Sequence, residues 1–282
     1  MFEGLPEVAQ SYFKERLQLY GRDCAFECLP ECDGRCCQDP ELLVKVSLFD
    51  LLAMAQAAGL RPSEVYDRCC ELGLFSAPPQ EVSALRFVRR LMVRLRLPCP
   101  FLEGGRCSIH WGRAIACALF PESHYAQGAW DERLCEYPCL REVQPIGPAR
   151  RRWLRELEQR SAEESLVSDI LLFGHSPFLV VFERNDQLVE LARERARARG
   201  LFTEGDRLLV PQEVFEELLR KELAGGEFQE DVRRRVAKLD QPEGVRELFR
   251  VQNLLTPLTA HPSLAAFRVL HQLNRGGFRL AR

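Results

Sequence analysis

Five cysteines fall within fourteen residues, at Cys24, Cys28, Cys32, Cys36 and Cys37. Three residues separate each of the first four, and the last two are adjacent. Between them stand Glu27, Pro30, Glu31, Asp33 and Gly34, a poor composition for an apolar core and one that interrupts a continuous helix. A second group of thiols comes much later, at Cys99, Cys107, Cys117, Cys135 and Cys139. Such a distribution favours a fold in which the two groups meet around a metal or iron–sulfur centre, and a loop at the first group that wraps its thiols around it.

The setting supports ligation over disulfide bonding. The 282 residues carry a 46% hydrophobic and a 28% charged fraction, values of an ordinary globular chain that can bury a core without metal or cross-links. The sequence from Met1 to Pro6 has neither a basic nor an apolar signal-like stretch, and no run reaches the roughly 18 apolar residues of a membrane span. A cytoplasmic, reducing compartment is therefore expected, where clustered cysteines bind metals or do redox chemistry. The net charge of −2 gives no general attraction to nucleic acid or to a membrane, and neither is expected as a partner. The arginine runs at 150–152 and 193–199 read as solvated helix faces.

Hydrophobic periodicity predicts a mainly helical chain with one small β-hairpin, an irregular cysteine-rich metal-binding core and a helical C-terminal region. A helix is expected over 7–20, with Val8, Tyr12, Phe13, Leu17 and Tyr20 on one face and Gly21 as its stop. Ser47 is the N-cap of the next, with Asp50 three residues on and Gly59 at the end. Another should run from Ser63 to about Leu72 and carry Cys69-Cys70 as small buried side chains. Pro78-Pro79 reads as a break. Alternation from Phe87 to Leu97 reads as a strand ended by Pro98. A hairpin with Cys99 and Cys107 at its bases and a short helical turn carrying Cys117 follow. Beyond Pro145-Ile146-Gly147-Pro148 the cysteines stop, and helices are expected over 149–165, 177–199, 211–223, 228–239, 243–255 and 262–274. The expected division is a cysteine-cluster domain over 1–145 and a helical domain over 146–282.

Thiolates are soft ligands suited to zinc, cuprous copper and iron–sulfur clusters. With Cys69 and Cys70 set aside, the candidate metal ligands are Cys24, Cys28, Cys32, Cys36, Cys37, Cys99, Cys107, Cys117, Cys135 and Cys139. Ten thiols exceed one tetrahedral site and would serve two sites or a polynuclear centre. No C-x-x-C pair occurs, which excludes zinc-ribbon and thioredoxin-like patterns. The spacing fits neither a ferredoxin nor a radical S-adenosylmethionine signature, and no Walker A or dinucleotide-binding sequence is present. His110 and His124 are the histidines of this half; each reads as an ordinary side chain ahead of a nitrogen ligand or an acid–base group.

Cys99-Pro-Phe-Leu, Gly105-Arg-Cys107-Ser-Ile-His, Arg113 and Cys117-Ala-Leu-Phe-Pro121 resemble the second signature of the YkgJ-like, or CxxCxxCC, zinc- or iron-chelating family. Cys28, Cys32 and Cys36-Cys37 resemble its first signature. The gaps here are three residues instead of two, and His110, Ala114 and Ala118 stand where that family usually has Tyr, Pro and Arg. The resemblance covers about residues 20–140. It implies iron, an iron–sulfur cluster or, alternatively, zinc as cofactor. Some relatives are called flagellin lysine methylases, which implies a protein or peptide substrate. The expected function is a metal-binding cysteine-cluster protein, redox or protein-modifying; the alternatives are a structural zinc module with a helical interaction domain, and a metal-handling protein. No residue points to a catalytic group or an S-adenosylmethionine site.

Overall fold

The structure, a computed structural model, describes residues 4–21, 32–40, 42–82, 85–120, 137, 147–173 and 226–259. Within it the chain forms two compact units. One comprises residues 1–71, 93–165 and 236–253; the other comprises 72–92, 166–235 and 254–282.

The first unit opens with α1, Glu7–Tyr20, which ends at Gly21 with the Gly21 N–H on the Leu17 carbonyl. Its buried residues are Ala9, Phe13, Arg16, Leu19 and Tyr20. The buried stripe is thus rotated from the one read in the sequence: Val8 faces solvent and a charged residue, Arg16, lies in the core. Packing partners on several sides decide which face of a helix is buried, and periodicity in one segment does not contain them.

A short helix, α2, spans Arg35–Gln38 and carries Cys36 and Cys37. One helical turn therefore stands where a loop was expected. The chain then extends through Lys45, which bridges Arg94. Helix α3 is Leu48–Ala58, with the Ser47/Asp50 capping box and left-handed Gly59 that the sequence announces. Leu48 through Ala55 are all buried, so α3 is a central helix, apolar around most of its circumference.

Helix α4, Pro62–Cys69, has proline in its first turn and stops earlier than expected, because Cys70 already begins strand β1, Cys70–Val82. Strand β2, Leu85–Leu95, pairs with it in a two-stranded sheet. Pro78-Pro79 lies inside β1; a two-stranded sheet has only edge strands, where a missing N–H is tolerated. The expected strand at 87–97 is present, starting at Leu85 and ending two residues before Leu97.

After a cis Leu97–Pro98 bond comes the small hairpin. β3, Leu102–Glu103, pairs antiparallel with β4, Arg106–Cys107, across Gly104-Gly105. A 3-10 turn at His110–Gly112 and helix α5, Ile115–Leu119, complete the stretch that carries Cys117. Helix α6 is Pro148–Phe173, longer than the expected 149–165. Helix α7 is Glu227–Ala237, followed by a 3-10 turn at Lys238–Asp240 and helix α8, Pro242–Thr259. The helices expected over 177–199, 211–223 and 262–274 lie outside the described residues.

Two packed groups hold the first unit. The rings of Tyr12, Phe13, Phe49 and Phe249 meet with centroids 5.2 to 6.3 Å apart, the edge-on and tilted contacts aromatic quadrupoles favour. Leu19, Tyr20, Ile115, Ala118, Leu119, Trp153, Leu154 and Leu157 form a buried cluster that seats α5 between the end of α1 and the first half of α6. The Trp153 indole N–H donates to the Leu19 carbonyl at 2.8 Å, satisfying its one polar atom inside that cluster. In the second unit, Arg235 donates to the Leu171 carbonyl at 3.1 Å and Phe173 stacks on Phe228. No helix among the described residues is long and apolar enough to cross a membrane.

Candidate metal centre

Two backbone features bring the cysteine groups together. At Gly34, φ is +75°, a left-handed conformation that only glycine adopts cheaply, and it starts α2. A Cβ there would lie 2.5 Å from Leu102 Cδ1 and 3.0 Å from the Gly105 carbonyl oxygen. The tip of the β3–β4 hairpin is thus docked directly on the Asp33-Gly34 backbone. On the other side of α2, the Cys99 N–H donates to the Cys37 carbonyl at 2.6 Å. The first and second cysteine groups share a main-chain hydrogen bond.

The thiols follow the backbone. Cys36 and Cys37 have their sulfurs 4.0 Å apart. Cys37 also interacts through its side chain with Cys99. Cys117, on α5, is near enough to Cys37, Cys99 and Cys107 for its ionised form to be opposed by each of them. All the described cysteines are free thiols; Cys32, Cys36, Cys37, Cys99, Cys107 and Cys117 are partly buried, whereas Cys69 and Cys70 are buried, as packing residues should be. Cys24, Cys28, Cys135 and Cys139 lie outside the described residues, as does His124.

Thiols packed against one another and partly buried hold their protons. The hydrogen bond to Cys36, burial and the neighbouring thiols push the Cys37 thiol up to about 12. The hydrogen bond to Cys37, then burial, raises Cys99; burial above all raises Cys107 and Cys117. A divalent ion inverts this, because a coordinated thiol gives up its proton outright. His110 moves the other way, to about 4, through burial and the Arg113 and Arg106 charges. At neutral pH it is an uncharged imidazole, half-buried edge-on against Trp111.

Among the described residues, no three or more Cys, His, Asp or Glu side chains stand in a group that would hold a metal ion as they are placed. The donor chemistry fits zinc or iron, since these are soft thiolates. The described sulfurs crowd one another without closing a coordination sphere. One further residue bears on the set. The buried Tyr137 hydroxyl is hydrogen-bonded to the Asp39 carboxylate, two residues past Cys37, and its ring meets Phe120 with centroids 5.4 Å apart. Nothing in the sequence singles out Tyr137, because its partners are distant in the chain.

A charged network behind the thiols was likewise invisible in sequence. Arg16 on α1 pairs with Asp50 on α3 and with Glu164 on α6, the latter at 3.1 Å. Tyr12 donates to Glu164 at 2.8 Å, and burial raises Glu164, with the Arg16 charge opposing that rise. Only the Ser47–Asp50 capping pattern could be read locally.

Residues 27–136 match the family model CxxCxxCC, described as "Putative zinc- or iron-chelating domain". The matched segment contains the two cysteine groups from Cys28 to Cys135. This segment is similar to that family. Neither the curated proteins nor the solved structures include a match to the chain. The first unit contains more than the CxxCxxCC segment: Trp153, Leu157, Glu164 and Phe249 all lie beyond residue 136 and are buried in it. The matched segment thus supplies all the described thiols, and residues outside it complete the core of the same unit.

Proposed function

We propose that the protein binds zinc or iron at one thiolate centre drawn from both cysteine groups, and that the centre serves redox or protein-modifying chemistry instead of holding the fold together. The observation that carries the shared centre is the Cys99 N–H to Cys37 carbonyl hydrogen bond, with Cys107 and Cys117 around the same pair of thiols. The ligands are drawn from Cys28, Cys32, Cys36, Cys37, Cys99, Cys107 and Cys117, with Cys24, Cys135 and Cys139 as the remaining members of the set. Tyr137, tied to Asp39 beside α2, supports including its neighbours Cys135 and Cys139.

The use of the centre follows from where the apolar core lies. Phe13, Phe49, Leu51, Leu52, Trp153, Leu157, Leu248 and Phe249 are fully buried in the first unit, away from any need for a cross-link. Small zinc modules that lack such a core unfold without metal. Here the thiols are only partly buried, so an exposed edge remains for exchange or reaction. A bound metal supplies the positive charge that keeps these thiols ionised. Free thiols throughout the described cysteines accord with a reducing, cytoplasmic setting.

Anaerobic purification with metal and sulfide analysis tests the reading. Zinc or iron at about one centre per chain is expected, with occupancy lost in both Cys37→Ser and Cys99→Ser. Brown protein with stoichiometric sulfide identifies an iron–sulfur cluster. Stoichiometric metal that survives either substitution would overturn the shared centre. Chelation should leave the far-UV circular dichroism and a cooperative melt in place; unfolding on metal removal would show a structural zinc module instead.

A further inference from the structure

Helix α5 carries Cys117 in its first turn, yet it has no cap of its own. Its N-cap residue is Ala114, which makes no side-chain hydrogen bond. Helix N-termini leave N–H groups unpaired, and a buried one must find a partner elsewhere. The Ile115 N–H finds Asp50 Oδ1, 2.9 Å away on α3, 65 residues earlier in the chain. Arg16, from α1, donates to the same Asp50 oxygen and, at 3.1 Å, to the Arg113 carbonyl. The Tyr20 hydroxyl also donates to that carbonyl, at 3.3 Å. Both backbone groups that flank Ala114 are therefore held by side chains of other helices.

Asp50 is itself fixed. Its other oxygen accepts from the Ser47 N–H and lies 2.9 Å from Ser47 Oγ, which is also 3.1 Å from Glu164. Arg16, Asp50 and Glu164 are 2%, 1% and 0% exposed. Three ionisable groups at that depth are an expensive way to stabilise a fold, since well-packed apolar residues often do as well or better. What such groups supply is a fixed geometry. Gly112 adds to it: a Cβ there would stand 2.6 Å from the Ala53 carbonyl oxygen and 2.4 Å from Ala57 Cβ, so the 3-10 turn before Arg113 lies flush on α3.

We propose that Asp50, clamped by Arg16 and Glu164, is a positioning residue of the metal centre: it caps α5 from outside and so fixes the Cys117 thiol that the centre uses. This rests on the metal-centre reading above. Glu164 lies beyond the matched segment, so helix α6, outside that segment, takes part in setting the ligand.

Cobalt(II) loading of the full chain gives the test, because thiolate-to-cobalt absorption reports the number of sulfur ligands and competition with a chelator reports affinity. Asp50→Asn keeps the shape but cannot satisfy Arg16, Ile115 and Ser47 together. Its cobalt affinity should fall about ten- to a hundredfold, the range seen for outer-shell partners of metal ligands. Its charge-transfer intensity should fall to that of Cys117→Ser. Ser63→Ala, which cuts a 2.5 Å hydrogen bond to Asp240 elsewhere in the unit, should lower the melting temperature without moving the spectrum. Should Asp50→Asn fail to fold, Ile115→Pro against Ile115→Ala isolates the same bond. Both lose the Ile115 side chain, proline is accepted in a helix first turn, and only proline lacks the N–H that Asp50 accepts. Hydrogen exchange over residues 113–118 of the metal-free chain should be faster in Asp50→Asn and in Ile115→Pro than in their controls. Wild-type affinity and spectrum in these variants would overturn the positioning role. Faster exchange together with no cobalt binding by the wild type would leave the clamp standing and sink the metal centre.

Discussion

Gly112 shows how tightly single residues are set around the cysteines. The Ala53 carbonyl and the Ala57 methyl already occupy the space its Cβ would need. Gly112→Ala must push the 3-10 turn off α3, which should cost about 1–3 kcal/mol as an overpacked site. Urea denaturation measures that loss, and metal titration should show weaker binding because the turn leads to Cys117. Trp153 is a contrasting case, set by a hydrogen bond and not by lack of room. Trp153→Phe keeps the ring in the buried cluster but leaves the Leu19 carbonyl without the indole donor. A loss of about 1 kcal/mol in thermal unfolding is expected, with metal content unchanged.

At the scale of elements, the proposed centre depends on how a one-turn helix meets a two-residue-strand hairpin. Each is too short to persist alone; a helix of a few residues pays the nucleation cost without propagation, and an isolated hairpin is marginal in water. They persist because Gly34 and Gly105 let their backbones touch and because Cys99 bonds to Cys37. Gly34→Ala adds a Cβ at φ +75° and against Leu102. It should cost about 1–2 kcal/mol from the left-handed backbone alone and more from the contact, and it should lower metal occupancy by elemental analysis. An equivalent substitution at Gly59, also left-handed but with open space around it, should cost stability without touching occupancy.

For the whole molecule, the thiols tie stability to pH. In the folded, metal-free chain Cys37 is held up to about 12, and Cys99, Cys107 and Cys117 are raised as well, whereas an unfolded chain releases these protons near 9. Between those values the folded form binds more protons than the unfolded one, so stability falls as pH rises through that window. Melting temperatures of the metal-free protein should drop from about pH 9 upward, and metal loading should flatten the fall because coordinated thiols have already lost their protons. The first unit also predicts the outcome of truncation. A chain cut after residue 145 lacks Trp153, Leu157, Glu164, Leu248 and Phe249 from its core and strips Arg16 of one carboxylate. It should lack the cooperative melt of the full chain in calorimetry.

The sequence determined the local pieces, because their causes are local. Ser47 with Asp50 three residues on makes a capping box wherever α3 lies, Gly59 ends that helix in the left-handed conformation open to glycine, and Gly104-Gly105 turns a hairpin between Cys99 and Cys107. Thiol spacing and residue type marked out, before any contact was known, the segment that matches the zinc- or iron-chelating family model. Other features were not legible because they arise between segments far apart in the chain. Periodicity put Val8 on the buried face of α1, but the packing of α3 and α6 put Arg16 there. Cys70 looked helical until a partner strand pulled it into β1. That Asp50 caps α5 as well as α3, that Tyr137 reaches Asp39, and that helices beyond the cysteines complete the core around them are facts of tertiary structure. A hydrogen bond or a buried charge pair is decided by which groups are left without water, and only the folded chain determines that.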